Sequence, residues 1–253
     1  MSKLDKKIDR RNFCKEFALS GTMILFLGPN VNSGSLTSEN DEEKIYVYGM
    51  GIQIDKCIGC GQCVGACKTE NKVPDEPYFF RTWVERYVIT VDDEVIVNSP
   101  NGGKDGFPGD TEEKSILRSF FIPKLCNHCG NPPCVQVCPV GATFSTKEGA
   151  VLVDKDYCIG CRYCIQACPY GARYLDPVTH TADKCTFCYH RIVKGLKPAC
   201  VEVCPTNARI FGFIGLRSSP LSRFRRFNNI QVLKPDLNTE PNVFYADLDG
   251  EVR

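Results

Sequence analysis

The chain has 253 residues, of which 43% are hydrophobic and 24% charged, a balance that suits one ordinary globular domain or two small ones. Its 31 Lys and Arg residues nearly equal its 30 Asp and Glu residues, so it lacks the basic excess that marks a nucleic-acid binder. The outlying number is 17 cysteines, which leaves three chemistries open: a disulfide framework, structural zinc or iron-sulfur clusters.

The first 44 residues are predicted to be an export signal followed by a linker. Arg10 and Arg11 precede a weakly apolar stretch from Ala18 to Leu27, and this layout resembles a twin-arginine export signal. The alternative is an amphipathic helix with an incidental arginine pair. Residues 28–44 are rich in Gly, Ser, Asn and acids, as linkers are. No apolar run is long enough to span a membrane, and the folded part is expected to begin near Ile45.

One cysteine pattern then recurs four times and includes every cysteine except Cys14. Copy 1 has Cys57, Cys60, Cys63 and Cys67; copy 2 has Cys126, Cys129, Cys134 and Cys138; copy 3 has Cys158, Cys161, Cys164 and Cys168; copy 4 has Cys185, Cys188, Cys200 and Cys204. The last three copies share a tail, CPVGA, CPYGA and CPTNA, with alanine four residues after the final cysteine. Ligand chemistry alone does not require this tail, so it indicates a duplicated structural unit.

Short strands and turns are predicted between the copies. β-Branched and aromatic residues at 81–97 surround an Asp-Asp-Glu turn, which predicts a β-hairpin. Residues 48–57 and 149–158 each predict a short strand that runs into a cysteine loop, and the Gly/Pro-rich residues 101–110 predict a loop. Beyond Gly212 there is no cysteine and little periodicity, which predicts a surface extension or a partner-binding arm.

The cysteine spacing favours iron-sulfur clusters over zinc and disulfides. Copy 3 has the C-x2-C-x2-C-x3-C-P spacing of bacterial ferredoxins, in which the fourth cysteine binds the other cluster of a pair. Structural zinc usually takes two C-x2-C pairs and needs neither a third loop cysteine nor the proline. An exported protein could pair its thiols as disulfides, but four copies of a cluster motif are hard to reconcile with that framework.

The motifs CNHCGNPPC, CIGCRYCIQACPYGAR and DKCTFCYHR resemble the iron-sulfur subunits of the dimethyl sulfoxide reductase and polysulfide reductase type, over residues 45–212. The resemblance implies an α+β fold of two interleaved bacterial-ferredoxin-like halves, with a β-hairpin insertion and an extended C-terminal arm. The outer half would comprise 45–118 plus 181–212, and the inner half 119–180. Residues 1–44 would be signal and linker, and 213–253 the arm.

The resemblance also implies four 4Fe-4S clusters with crossed ligands. The four sets would be Cys57, Cys60, Cys63 and Cys204; Cys67, Cys185, Cys188 and Cys200; Cys126, Cys129, Cys134 and Cys168; and Cys138, Cys158, Cys161 and Cys164. Lys68 departs from the pattern, since proline follows the fourth cysteine in the other copies. It is either a surface turn residue or a cation that raises the potential of a nearby cluster.

Other residues beside the cysteines are weaker candidates for tuning the clusters. The basic ones are Lys124, Arg162, Lys184 and Arg191, and the aromatic ones, which could exclude water, are Tyr163, Tyr170, Phe187 and Tyr189. His128 and His190 are expected to pack or donate hydrogen bonds, because the cysteine ligands are already complete. In the C-terminal segment, Phe224, Phe227, Phe244 and Tyr245 are the expected anchors of an arm on a partner.

No catalytic motif is present, so the chain is expected to carry electrons without catalysing a reaction. The resemblance implies a molybdopterin-type catalytic subunit and a multi-span, quinone-reactive membrane subunit as partners, on the periplasmic side of the cytoplasmic membrane. One alternative is the iron-sulfur subunit of a periplasmic menaquinone reductase complex fed by a multihaem cytochrome. An alternative of another class is a structural metal-binding scaffold with no electron transfer.

Overall fold

The structure, a computed structural model, describes residues 46–107, 109 and 116–252. All of them belong to one unit, Glu43–Arg253. The predicted export signal and linker lie outside the described residues. Within this part of the chain the fold is mixed α+β with small sheets, as the sequence predicts.

Strands and short helices alternate along the chain. The strands are β1 (Tyr48–Gln53), β2 (Thr82–Thr90), β3 (Val95–Asn98), β4 (Ile116–Leu125), β5 (Thr143–Ser145), β6 (Val151–Val153), β7 (Arg173–Leu175), β8 (Ala182–Lys184), β9 (Arg209–Phe213), β10 (Ile230–Gln231) and β11 (Val243–Ala246). The helices are α1 (Gln62–Asn71), α2 (Pro133–Gln136), α3 (Tyr163–Gln166), α4 (Tyr189–Ile192), α5 (Ala199–Glu202) and α6 (Pro220–Phe227), with 3-10 turns at Ile54–Lys56, Pro100–Gly103 and Pro235–Leu237. No helix among the described residues is long and apolar enough to cross a membrane.

The largest sheet has the order β10-β11-β1-β9, with β1 parallel to β11 and antiparallel to β9. Successive residues of a strand face opposite sides of a sheet. In β1, Met50 and Ile52 are fully buried in the core that also contains buried cysteines. Gly51 faces α6, and a Cβ there would lie 2.5 Å from the Phe224 ring. Glycine therefore allows α6 to pack closely on this face of the sheet.

A second sheet confirms the predicted hairpin and extends it. β2 pairs antiparallel with β3 around a turn in which Asp93 has φ +60°, and β4 pairs with the other edge of β2. No strand is predicted from the sequence at the position of β4. This strand ends at Leu125, directly before Cys126, so the sheet positions the start of the second cysteine copy.

Two small hairpins connect the later cysteine copies. β5 pairs with β6 between copies 2 and 3, and β7 pairs with β8 between copies 3 and 4. β6 and β1 confirm the two strands predicted before cysteine loops. Each hairpin begins five residues after the fourth cysteine of a copy, so the repeat in sequence is also a repeat in structure.

The prediction of an extended C-terminal arm is wrong for the described residues beyond Gly212. α6 packs on the large sheet, and β11 lies inside that sheet between β10 and β1. Phe224, Phe244 and Tyr245 are buried in this chain, whereas Phe227 is exposed. β11 is a wholly buried apolar run, VFYA, so it lacks the alternation by which half-buried strands are recognised.

Replacing Phe224 with alanine is expected to destabilise the protein by about 3–5 kcal/mol, because the ring fills the space over Gly51 between α6 and β1. Phe227→Ala is the matched control on the same helix, and its side chain is 74% exposed. Thermal melting of the two purified variants measures the difference. Equal melting temperatures for both variants would show that α6 does not pack on the sheet in solution.

Candidate functional site

The sixteen cysteines of the four copies all have free thiols. Within the described residues, no three His, Cys, Asp or Glu side chains converge closely enough to hold one metal ion. A single zinc ion needs sulfurs about 2.3 Å from one point. A 4Fe-4S cluster places its own iron and sulfide atoms between the thiolates, so its ligands stand further apart.

The four cysteine loops share one backbone conformation. The residue directly before the second cysteine is left-handed in every copy: Gly59, His128, Gly160 and Phe187 have φ of +67°, +43°, +68° and +54°. The N–H groups of His128 and Phe187 donate to the first cysteine of their own loops, at 3.5 and 3.4 Å. The left-handed residue thus turns a peptide N–H towards sulfur, where it stabilises a thiolate.

Site A comprises Cys57, Cys60, Cys63 and Cys204, which line one cavity together with Arg209. The loop before α1 carries the first two cysteines, α1 carries the third, and Cys204 follows α5. Burial raises the pKa of Cys57 to about 11. Its thiolate form therefore requires a compensating positive charge, which a bound metal centre would supply.

Site B comprises Cys67, Cys185, Cys188 and Cys200, all of them buried. Burial and the proximity of the other three thiols raise the pKa of Cys67 well above its ordinary value. Cys67 lies on α1 and Cys200 on α5, and these two helices pack against each other. The same pair of helices therefore carries ligand candidates for both site A and site B.

Site C comprises Cys126, Cys129, Cys134 and Cys168. Burial and the nearby thiols of Cys126, Cys134 and Cys168 raise the pKa of Cys129 to about 12. A hydrogen bond with the side chain of Thr239 lowers this pKa by a smaller amount. The first three cysteines come from copy 2 and the last from copy 3. Sites A, B and C thus each bring cysteines of two copies near one another.

Site D comprises Cys158, Cys161 and Cys164 of copy 3, with Cys138 as the expected fourth member. Cys158 and Cys164 share an apolar cluster with Cys134. α2, which ends just before Cys138, packs against α3, which carries Cys164. The structure therefore places copies 2 and 3 together, while the contacts of the Cys138 thiol are with the backbone that follows it.

The shared tail supplies hydrogen bonds to the fourth cysteine in the last three copies. The N–H groups of Ala142, Ala172 and Ala208 donate to Cys138, Cys168 and Cys204, respectively. Burial would raise the pKa of Cys204, but hydrogen bonds from Thr206, Ala208 and neighbouring groups lower it overall. All three alanines are buried. The tail therefore has a chemical role, namely to stabilise the fourth thiolate.

The four sites follow one another in the order A, B, C, D. Cys63 of site A is close enough to Cys200 of site B to raise its pKa, although burial raises it more. Cys126 of site C likewise raises the pKa of Cys185 of site B, although burial and Cys200 raise it more. Sites C and D meet in the apolar cluster described above. Among the described cysteines only Cys60 and Cys161 are exposed, and they belong to the first and last sites.

Lys68 neither lies in a surface turn nor contacts a cysteine sulfur. Its side chain is 5% exposed, and its Nζ donates to the carbonyls of Pro74, at 2.6 Å, and Glu76, at 3.2 Å. In the other copies the helix ends two residues before the fourth cysteine and proline follows that cysteine, whereas α1 continues through Cys67 and Lys68 to Asn71. The Asn71 amide then lies 3.5 Å from Cys67 Sγ and 3.6 Å from Cys188 Sγ, at site B.

Of the basic candidates, Lys184 lies closest to the buried sites. It is 1% exposed, and its Nζ donates to the carbonyls of Val151 and Cys185. Burial lowers its pKa, and the adjacent Cys126 thiol acts in the opposite direction. Lys124 and Arg191 form ion pairs with glutamates.

The aromatic candidates divide into buried and exposed ones. The ring of Phe187 stacks on that of His128 with centroids 3.6 Å apart, and both are buried between the loops of sites B and C. Burial, Lys184 and Arg173 lower the pKa of His128 well below its usual value, so the imidazole is neutral. Tyr170 and Tyr189 are partly buried, whereas Tyr163 is exposed and does not shield its site.

Three buried arginines at the sites were missed by the sequence analysis: Arg81, Arg173 and Arg209. The last two could have been found, because each directly follows the alanine of the shared tail, in PYGAR and PTNAR. Arg81 has no such signal, since it stands far from any cysteine in the sequence. Its guanidinium donates to Asn71 Oδ1 at 2.9 Å and so orients the amide at site B.

Comparison with known proteins gives a consistent assignment. Residues 56–142 and 117–214 each match a family model described as a 4Fe-4S dicluster domain. A tetrathionate reductase subunit of Salmonella typhimurium is 45% identical over 207 residues, which cover 80% of this chain and 73% of that protein. A tetrathionate reductase subunit of Archaeoglobus fulgidus is 45% identical over 212 residues, which cover 84% of this chain and 86% of that protein.

A polysulfide reductase polypeptide of Wolinella succinogenes is 39% identical over 198 residues, which cover 78% of this chain and 92% of that protein. The two matched models together include all sixteen cysteines of the four copies. The chain therefore belongs to the family of 4Fe-4S dicluster iron-sulfur subunits found in reductase complexes of the dimethyl sulfoxide, tetrathionate and polysulfide reductase type.

Proposed function

We propose that sites A to D each hold one 4Fe-4S cluster and that the chain relays electrons along them. Sixteen free cysteines at four per cluster make four clusters. The ligands would be Cys57, Cys60, Cys63 and Cys204 at A; Cys67, Cys185, Cys188 and Cys200 at B; Cys126, Cys129, Cys134 and Cys168 at C; and Cys138, Cys158, Cys161 and Cys164 at D. Soft thiolate donors in this number suit iron-sulfur clusters.

The order of the sites is the observation that carries the proposal. Adjacent sites lie near each other at Cys63 and Cys200, at Cys185 and Cys126, and at Cys134 and Cys164. The two exposed cysteines, Cys60 and Cys161, belong to the two end sites. A row of sites that is buried in the middle and exposed at both ends suits transfer of electrons from one partner to another.

A bound 4Fe-4S cluster supplies reversible one-electron chemistry. The chain's own residues hold the cluster and set its surroundings. Peptide N–H groups of the loops and tails donate to the thiolates and favour their ionised form. Buried apolar side chains such as Phe187, Ile192 and Val201 pack in the same core as Cys185 and Cys200 and exclude water.

We further propose that the sites form two halves. Sites A and B would belong to an outer half of residues 45–118 and 181–212, and sites C and D to an inner half of residues 119–180. One end would face a molybdopterin-type catalytic subunit and the other a multi-span, quinone-reactive membrane subunit, on the periplasmic side after twin-arginine export. The relatives are named as parts of tetrathionate reductase and polysulfide reductase, which supports a place in a multi-subunit reductase.

Anaerobic purification of the native complex through a tag on this chain tests the proposal. We expect about sixteen iron atoms per chain, EPR signals after reduction by a quinol analogue, and two co-purifying subunits, one with molybdenum and one with several membrane spans. Iron is counted by elemental analysis and the subunits are identified by mass spectrometry. Stoichiometric zinc in place of iron, or a chain without partners or EPR signals, would support a structural scaffold instead.

A further inference from the structure

Arg173 and Arg209 occupy equivalent positions in two cysteine copies. Each stands five residues after a fourth cysteine, follows the alanine of the shared tail, and begins a strand, β7 or β9. Their side chains are buried, at 5% and 3% exposure for the whole residue. Such burial of a charged residue is rare without a partner of opposite charge.

The guanidinium of Arg209 points at site A. Its Nη2 lies 3.4 Å from Cys63 Sγ and 2.8 Å from Thr82 Oγ1, and its Nη1 lies 4.0 Å from Met50 Sδ. No ion pair with a carboxylate is found for it among the described residues. Burial by itself would lower the pKa of Arg209, but the thiolates of Cys63, Cys200 and Cys57 raise it.

The guanidinium of Arg173 points at site C in the same way. Its Nη2 lies 3.0 Å from Cys134 Sγ and its Nη1 lies 3.3 Å from Thr143 Oγ1, while Nε has no hydrogen-bond partner in this part of the structure. Here too no carboxylate forms an ion pair with it among the described residues. Sulfur is therefore the charge partner of both arginines.

Each arginine also reaches the second site of its pair. Arg209 lies close enough to Cys200 of site B to oppose the rise in pKa that burial causes there, and Arg173 lies close to Cys164 of site D. Cys63, Cys200, Cys134 and Cys164 are the third cysteines of the four copies. One guanidinium thus lies between sites A and B and the other between sites C and D, with the closer sulfur in A and C.

Two other buried cations near the sites, Arg81 and Lys184, have oxygen atoms as their partners. Arg81 forms an ion pair with Asp183, at 2.9 Å, and donates to the side-chain oxygen of Asn71, whose amide lies beside site B. Lys184 donates to two backbone carbonyls between sites B and C. Only Arg173 and Arg209, of the described residues, combine an uncompensated charge with a short contact to a cysteine sulfur.

We propose that Arg173 and Arg209 raise the reduction potentials of the two clusters beside them, with the larger effect at sites A and C. Reduction adds negative charge to a cluster and its thiolates, so a buried cation that donates to a ligand sulfur stabilises the reduced form more than the oxidised form. Each arginine would then make the clusters beside it better electron acceptors than they would be without it. This inference rests on the proposed function.

The test is an EPR-monitored redox titration of the purified complex with Arg209→Gln and Arg173→Gln, and with Arg118→Gln as control. Arg118 is exposed and pairs with Asp249. We expect Arg209→Gln to lower the midpoint potential of two of the four clusters, one more than the other, and Arg173→Gln to lower the other two. The control should leave all four potentials unchanged.

Iron content separates the possible outcomes. Full iron with four unchanged potentials in both glutamine variants would overturn the inference, and so would an equal shift of all four clusters. If a glutamine variant loses iron, the lysine variants at the same positions are titrated; lysine keeps the charge but lacks the planar fork of the guanidinium, so a smaller downward shift in the same pair is expected, and a shift spread equally over all four clusters would overturn the inference. Wild-type protein without four clusters would instead contradict the proposed function.

Discussion

Replacing Cys185 with serine is expected to abolish quinol-driven turnover of the complex and to lower its iron content by about one quarter. Cys185 is a proposed ligand at site B, is 7% exposed, and shares a buried core with Cys126 of site C. A serine hydroxyl is a hard and weakly acidic donor, so it replaces a soft thiolate poorly. Loss of the cluster at B would leave a gap in the middle of the row.

The position of the gap makes this prediction specific. Sites A and B are joined through α1 and α5, whereas sites B and C are joined by the Cys185 and Cys126 loops and the stacked His128 and Phe187 rings. Without B, an electron on A must reach C directly. Because transfer slows steeply with distance, reduction of clusters on the two sides of the gap should become independent.

Cys14→Ser is the matched control, because Cys14 is the one cysteine outside the four copies. It should leave iron content and turnover unchanged. Turnover with a quinol analogue and EPR of the reduced variant check the prediction. A Cys185→Ser protein that has lost one cluster and still turns over at the wild-type rate would show that site B is not between the partners.

The local features of the sites could be predicted from the sequence. Cys158, Cys161, Cys164 and Pro169 follow a spacing whose geometry is set by a short loop and one helical turn, so a pattern within a dozen residues is sufficient. The β2-β3 hairpin was predicted for a similar reason, since its strands are joined by four residues. The departure at Lys68 was also visible, but its consequence, a longer α1, was not recognised.

Long-range features could not be predicted in this way. β11 pairs in parallel with β1, at Phe244 and Gly51, across most of the chain, and no local pattern encodes a partner so distant in sequence. Arg173 and Arg209 stand at a recognisable position, directly after the alanine of the shared tail, but the sequence does not show which sulfur each of them contacts. Their role depends on Cys134 and Cys63, which lie 39 and 146 residues away.

The buried ion pair of Arg81 and Asp183 is expected to be the most sensitive polar contact for stability. Asp183 accepts hydrogen bonds from Arg81 Nε at 3.2 Å, from Arg81 Nη2 at 3.0 Å and from the Tyr174 hydroxyl at 2.7 Å. Both charged side chains are under one tenth exposed. Removing one partner of such a pair leaves the other charge buried without compensation, which costs about 3–5 kcal/mol.

Asp183→Ala should therefore lower the melting temperature of the loaded protein markedly, and Asp75→Ala, which removes an exposed partner of Lys104, should leave it unchanged. The double variant Arg81→Met with Asp183→Leu should recover much of the loss, because apolar side chains of similar size often replace a buried ion pair without penalty. It should still alter the EPR signal of site B, since Asn71 would lose the donor that orients it. If the double variant is less stable than Asp183→Ala, the lower stability comes from the lost hydrogen-bond geometry of the pair. An uncompensated buried charge is then not its cause.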